Sequence, residues 1–152
     1  MKNRFPILAI TAMVCALVIA QSRASADDEI SLFDYKGRPV AYIAEDRTIY
    51  LWEGKPVAYV DGQNKPVLDI YGFNGKHLGW FTGGIIYDAD GNAVGGIKEV
   101  FKTPPQFEPF KSFKQFKPFK SFKELRPLQP TFSKQWSDVP LKYFLREGID
   151  SD

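Results

Sequence analysis

The sequence predicts an all-β fold in which four β-hairpin repeats radiate around a common axis or close into a barrel-like body. The stretch 70–81 places Asn74-Gly75 between two aromatic-rich arms, and Asn-Gly is a preferred pair for a tight hairpin turn. The stretches 32–43, 49–60 and 86–97 repeat this plan in register. Each unit is too small to bury its own apolar surface, so the four units are expected to share one core.

Residues 1–26 have the pattern of a signal peptide. Lys2 and Arg4 precede an uncharged apolar run of sixteen residues, 5–20, and Ala24-Ser25-Ala26 is a small-residue cleavage pattern. A membrane span needs ~20 apolar residues, so the run favours a cleaved signal over an anchor. We therefore expect an exported protein, either in the bacterial periplasm or secreted.

Residues 27–100 are predicted to be the four-hairpin domain. A two-residue turn at Asn74-Gly75 would pair Tyr71 with Leu78 and Ile70 with Gly79, which leaves both faces of the hairpin apolar. A sheet with one wet face would alternate apolar and polar residues, so the hairpins are expected to radiate around an axis or close on themselves. The predicted turn pairs are Lys36-Gly37, Glu53-Gly54, Asn74-Gly75 and Asp90-Gly91, and a small residue recurs at Ala41, Ala58, Gly79 and Gly95.

This part of the chain resembles the four-fold β-flower domain, a bacterial all-β family of four hairpins arranged like petals. The resemblance covers residues 30–97 and implies the fold and an exported or envelope-attached context, without a catalytic motif. Gly95-Gly96 departs from the small-plus-aromatic pair of the other units, and short Tyr/Gly repeats such as YD and WG repeats remain an alternative. The residues that carry the resemblance are Ile49-Tyr-Leu-Trp-Glu-Gly-Lys-Pro-Val-Ala-Tyr-Val60, Ile70-Tyr-Gly-Phe-Asn-Gly-Lys-His-Leu-Gly-Trp-Phe81 and Gly84-Ile-Ile-Tyr-Asp-Ala-Asp-Gly-Asn92.

Catalytic and metal-binding patterns are weak. His77 is the only histidine; its predicted position opposite Gly72 brings it no orienting partner, which favours an exposed structural role. The stretch 88–92 looks like the start of a calcium loop but lacks the later ligands, so it is better explained as a hairpin turn. The sequence predicts no catalytic residue, no metal site and no cofactor.

A carboxylate-dependent hydrolase acting on envelope material is the alternative from another functional class. It would use Asp69, Asp88 and Asp90, and it would need two of these carboxylates ~5 to 10 Å apart in a cleft. A turn position suits Asp90 poorly for that role.

The aromatic residues of the hairpins are the candidate binding set. Aromatic side chains dominate the cores of small domains, but the polar tips of Tyr and Trp favour a rim. A concave, aromatic-lined site for an apolar, lipid-like or sugar-like ligand is therefore an open interpretation. The candidate rim residues are Tyr35, Tyr42, Tyr50, Trp52, Tyr59, Tyr71, Phe73 and Trp80.

Residues 101–135 form a low-complexity Phe/Lys/Pro tail. Phe recurs every third residue, Lys follows with the same spacing, and repeated Pro opposes helix and sheet. Only a polyproline II helix, with three residues per turn, keeps each residue type in one row. The predicted contact row is Phe107, Phe110, Phe113, Phe116, Phe119 and Phe122.

Charge suggests what the tail contacts. Residues 27–97 hold 6 basic and 11 acidic side chains, and residues 98–126 hold 8 and 3, so the two parts should attract each other. The tail is expected to contact its own domain, an anionic membrane surface or an envelope protein. Without residues 1–26 the chain has 17 basic and 18 acidic side chains, so nucleic acid is not a predicted partner.

Residues 136–148 are predicted to form a short amphipathic helix. Ser137 is a suitable N-cap, and Leu141, Phe144 and Leu145 share one face. The most consistent interpretation of the whole sequence is an exported, non-catalytic β-repeat module for binding or scaffolding.

Overall fold

The computed structural model describes residues 28–149; the predicted signal peptide lies outside the described residues. Eight antiparallel strands follow one another around a closed barrel in chain order. The predicted all-β architecture of four hairpins is therefore confirmed, in its barrel-like form. The strands are β1 (Ile30–Phe33), β2 (Pro39–Ile43), β3 (Thr48–Leu51), β4 (Pro56–Asp61), β5 (Leu68–Gly72), β6 (His77–Thr82), β7 (Ile85–Tyr87) and β8 (Ala93–Gly96).

The hairpin turns lie at one end of the barrel, because successive connections between antiparallel neighbours alternate between its two ends. The prediction of two-residue turns is wrong: each loop has three residues. In the first hairpin, Gly37 N–H donates to the Asp34 carbonyl at 2.9 Å and Asp34 N–H donates to the Arg38 carbonyl at 3.0 Å. This is a type I turn closed by a left-handed residue, and that residue is a glycine in all four hairpins, at Gly37, Gly54, Gly75 and Gly91.

The longer loop shifts the pairing within each hairpin. Ile70 pairs with Gly79 as predicted, but Tyr71 pairs with His77 instead of Leu78. Leu78 becomes the extra residue of a β-bulge and packs in the barrel interior, because a bulge changes which face the following residues occupy. The register shifts in the same way in all four hairpins, with extra residues Val40, Val57, Leu78 and Val94.

The barrel interior is filled by aliphatic side chains and closed by the helix α1 (Leu141–Arg146). Leu141, Phe144 and Leu145 are buried and belong to the same core cluster as the strands. A Cβ at Gly79 would overlap the Tyr87 carbonyl oxygen and come within 3.0 Å of the Phe144 ring, and one at Gly95 would come within 2.7 Å of Leu141 Cδ2 and 2.8 Å of the Phe33 carbonyl oxygen. The glycines at these repeat positions thus make room both for the backbone of the neighbouring strand and for the helix.

The helix is shorter than predicted. It begins at Leu141, and its N-cap is Pro140, whose backbone is extended (φ −63°, ψ 143°). Ser137 Oγ accepts from Val139 N–H at 3.2 Å, so it organises the approach to the helix and is not its cap. Within residues 28–149, no helix has the length and apolar character that crossing a bilayer requires.

A collar around the barrel as candidate interaction surface

Residues 101–135, here called the collar, contain no helix or strand and pass the four hairpin turns in order. The amides of Gln106, Gln115, Glu124 and Ser133 donate to the carbonyls of Gly37, Gly54, Gly75 and Gly91, at 2.8 to 2.9 Å. The donors are nine residues apart, so one nonapeptide serves one hairpin. The two ends of the collar meet where the Phe101 ring stacks on Trp136 with centroids 6.0 Å apart.

The collar has three faces, because its contacts repeat every third residue as in a polyproline II helix. The inward face carries the amides that bond to the turns, including Ser112 to the Trp52 carbonyl and Ser121 to the Phe73 carbonyl. Pro109, Pro118, Pro127 and Pro130 occupy the remaining steps of this face between Gln106 and Ser133. Proline lacks an N–H, so it fits the steps at which the collar donates no backbone hydrogen bond to a turn.

The basic face is paired with carboxylates of the barrel. Lys111 Nζ lies 2.9 Å from Glu29, and Lys114 bonds to the same carboxylate. Lys123 Nζ lies 2.7 Å from Asp61, and Lys117 bonds to Asp46. These contacts realise the attraction that the uneven charge predicted.

The ion pairs shift the titration of the carboxyl groups. The hydrogen bond from Lys123 lowers the pKa of Asp61 below its ordinary value. Partial burial alone would raise the pKa of Glu29, but hydrogen bonds from Lys114 and Lys111 outweigh it and lower the pKa. For Asp46, burial is likewise outweighed by hydrogen bonds from Lys117 and the Thr48 amide, so its pKa is lowered.

Aromatic pairs line the grooves between neighbouring hairpins, beneath the collar. Tyr42 stacks on Tyr50 at 5.6 Å and Tyr59 on Tyr71 at 6.3 Å, each directly across a strand pair that joins two hairpins. Lys120 Nζ lies 4.0 Å from the centre of the Tyr59 ring, within cation–π range. Burial, with a smaller contribution from the nearby Glu29 charge, raises the pKa of Tyr42 to about 12.

Most residues of the predicted aromatic rim therefore lie beneath the collar and do not line an open site. Tyr35 is half exposed and packs near Trp136, and Trp52 is partly buried, with its indole N–H donating to the Pro109 carbonyl at 3.1 Å. The other members are buried: Tyr42, Tyr50, Tyr59, Tyr71, Phe73 and Trp80.

The third face of the collar carries the predicted Phe row, and its side chains point away from the barrel. Six Phe and two Leu residues are between 91% and 103% exposed. The expectation that the Phe side chains contact the protein's own domain is wrong, since the inward and basic faces make those contacts. These eight residues, here called the Phe stripe, are Phe107, Phe110, Phe113, Phe116, Phe119, Phe122, Leu125 and Leu128.

His77 is not exposed, in contrast to the prediction. Its side chain is 2% exposed and its Nε2 lies 2.9 Å from Asp69 Oδ1. The same oxygen accepts from Arg126 Nε at 2.7 Å. The bulge at Leu78 places His77 opposite Tyr71, against whose ring it packs at 5.0 Å. The cluster fixes the collar to the third hairpin.

The carboxylates of the hydrolase alternative serve structural contacts. Asp69 binds His77 and Arg126. Asp88 Oδ1 accepts the amides of Asp90 and Asn92 at 3.0 and 2.9 Å, which holds the fourth turn. No group of three or more His, Cys, Asp or Glu side chains within residues 28–149 is arranged to hold a metal ion. The geometry gives the hydrolase alternative no support.

The fold and the collar define a class of protein: a four-hairpin β-barrel encircled by its own extended segment. The sequence model of the family described as 4-fold beta flower protein matches residues 30–145. The chain belongs to this four-fold β-flower family, and the match includes the collar and most of α1 besides the hairpins. Comparison with curated proteins and with solved structures returned no match.

Proposed function

We propose that this β-flower protein is an exported, non-catalytic binding module and that the Phe stripe is its contact surface. The exposure of the stripe carries the proposal. Six Phe side chains at ~150 Å² each together expose about 900 Å² of apolar surface along the collar. The largest apolar patch on a typical monomer is ~300–600 Å² and is often functional.

The stripe is also held in place before a partner arrives. Backbone bonds to the turns fix the inward face of the collar, and pairs with Glu29, Asp46 and Asp61 fix its basic face. Binding therefore needs little further ordering of the chain, and preordering of this kind increases affinity.

The partner that fits the stripe is the surface of a lipid membrane. Protein interfaces combine apolar anchors with about one hydrogen bond per 100–200 Å², whereas the Phe stripe offers only apolar side chains. A fluid apolar phase accepts such a uniform row without matched pockets. The apolar run of residues 5–20 and the cleavage pattern after it support export, which brings the protein to a membrane.

Charge selection of the membrane is expected to be weak. The basic face that predicted an anionic membrane is already paired with carboxylates of the barrel. We expect the full chain to bind neutral and anionic vesicles alike, with little release by salt.

Vesicle co-sedimentation tests the proposal with a triple variant, Phe110→Gln, Phe113→Gln and Phe116→Gln. These side chains point to solvent, so the variant is expected to keep its melting temperature. Full burial of one Phe is worth ~1.5–3 kcal/mol, so the partition coefficient should fall by roughly two orders of magnitude even with partial burial.

The matched control is Tyr143→Gln, which removes an exposed aromatic ring outside the stripe and should leave vesicle binding unchanged. If the parent chain binds vesicles and the triple variant binds equally well, the stripe is not the contact surface. If the parent chain binds neither neutral nor anionic vesicles, the membrane is not its partner.

A further inference from the structure

The end of the barrel away from the hairpin turns has an apolar mouth. A cavity of about 230 Å³ lies there, with walls formed by Ile30, Ile43, Val60, Leu68 and Phe81. The core cluster fills the barrel beyond this cavity, and α1 closes the turn end. The mouth is thus a shallow apolar recess that opens between the loops joining neighbouring hairpins.

Two residues of these loops have backbones that glycine would adopt more easily. Arg47 has φ 68° and Asn64 has φ 55°, and within the described chain they are the only residues other than glycine with positive φ. Arg47 N–H donates to the Ala44 carbonyl and Ala44 N–H to the Thr48 carbonyl. This is the loop geometry of the four hairpin turns, in which the corresponding residue is always glycine.

An arginine at such a position costs stability, and backbone strain of this kind is concentrated at functional sites. The guanidinium lies across the mouth, where Nη1 donates to the Gly62 carbonyl at 2.5 Å. Arg47 lines the cavity together with the exposed Lys65. Strain therefore occurs where it brings a cation to the rim of an apolar recess.

The two charged side chains that line the cavity, Arg47 and Lys65, are both basic. The loop carboxylates Asp46 and Asp61 are paired with Lys117 and Lys123 of the collar. Glu45 belongs to the same turn as Arg47 but does not line the cavity. The collar thus neutralises acidic groups that would otherwise compete for Arg47 and Lys65.

We infer that the mouth of the barrel binds a small amphiphilic carboxylate, with its alkyl chain in the recess and its carboxylate at Arg47 and Lys65. Small-molecule sites are mostly apolar with a few placed polar groups, and barrel mouths are common locations for them. A guanidinium matches the geometry of a carboxylate. This site is separate from the Phe stripe and does not depend on the proposed membrane function.

Isothermal titration of the full chain with octanoate tests the inference, with octylammonium as a ligand of equal chain length and opposite charge. Octanoate should bind saturably at one site and octylammonium should not. Arg47→Gly should weaken octanoate binding at least tenfold while raising the melting temperature, because glycine relieves the left-handed backbone. Lys65→Gln should weaken binding without that gain in stability.

Lys36→Gln is the matched control, since it removes an exposed basic side chain at the turn end of the barrel, away from the cavity, and octanoate affinity should be unchanged. The triple Phe variant of the collar should also bind octanoate as the parent does. The inference is wrong if octanoate does not bind saturably, if octylammonium binds as tightly, or if Arg47→Gly leaves the affinity unchanged. Loss of octanoate binding in the triple Phe variant would place the ligand on the stripe and would also overturn it.

Discussion

The turn glycines satisfy two constraints at once. Each has positive φ, and a Cβ at Gly54, Gly75 or Gly91 would overlap the carbonyl oxygen of Phe113, Phe122 or Thr131 of the collar. The backbone of the turn and the approach of the collar both require the missing side chain. Replacing one of these glycines should therefore cost more stability than the turn conformation alone would explain.

The Gly54→Ala variant should reveal the cost of the overlap between a side chain at the turn and the collar. Alanine in a left-handed backbone costs ~1–2 kcal/mol, and the overlap with the collar should add ~1–3 kcal/mol. The control is Gly83→Ala, where φ is +57° and no atom lies within 4 Å of the new Cβ, so only the backbone cost applies. Urea unfolding of both variants measures the difference, and equal losses would mean that the collar does not press on the turn.

Single residues show where sequence reasoning reaches its limit. The four turn glycines were predictable, because few other residues adopt positive φ. The loop length was not, since Asn-Gly suits two-residue and three-residue loops alike. That one-residue difference creates the bulge at Leu78, moves Leu78 into the core and places His77 beside Asp69.

At the scale of elements, the collar has a nine-residue repeat in addition to the three-residue spacing of its Phe side chains. The row of Phe every third residue predicted a three-faced segment, and its contacts follow that period. The register of nine was also present in the sequence, in Pro109, Pro118 and Pro127 and in Gln106, Gln115 and Glu124. This nine-residue register can be interpreted only with the barrel structure, in which the turn carbonyls accept hydrogen bonds from the collar amides.

Acid is expected to loosen the collar. The pKa values of Glu29, Asp46 and Asp61 are lowered in the folded protein, so their pairs add stability that is fully present above the ordinary pKa values of about 4 and is lost as the pH falls through the lowered pKa values of the folded protein. Melting temperatures measured between pH 7 and pH 3 should therefore fall at the acid end.

A variant with Gln at Lys111, Lys114, Lys117 and Lys123 is the matched control. It lacks the basic partners, so its melting temperature should be lower at pH 7 and should change less between pH 7 and pH 3. The same acid-dependent loss in this variant as in the parent would show that these pairs do not hold the collar.

At the scale of the whole molecule, the domain boundary predicted at residue 100 does not separate independent parts. The barrel core contains Leu141, Phe144 and Leu145, and the collar covers the outer aromatic pairs. The sequence predicted four hairpins sharing one core and a charged tail that attracts them. Local patterns did not show that the helix closes the barrel, because its seat is formed by residues distant in sequence, such as Gly79 and Gly95.

A chain that ends at Val100 should therefore melt at a lower temperature than the full chain, without any lipid present. Removal of one large core side chain already costs ~2–5 kcal/mol, and this truncation removes three. The Gln variant of the four collar lysines keeps α1 and should lose much less. An unchanged melting temperature for the truncated chain would contradict the shared core.

Hydrogen exchange along the collar, measured by NMR on the full chain, tests the central claim most directly. The amides of Gln106, Gln115, Glu124 and Ser133 should exchange slowly, as should those of Ser112 and Ser121, because they donate to the turn carbonyls. The amides of the Phe stripe should exchange fast. This alternation, with its register of nine residues, is the predicted result. Uniformly fast exchange over residues 101–135 would contradict the account, because the collar would then not be docked and the Phe stripe would not be held outward.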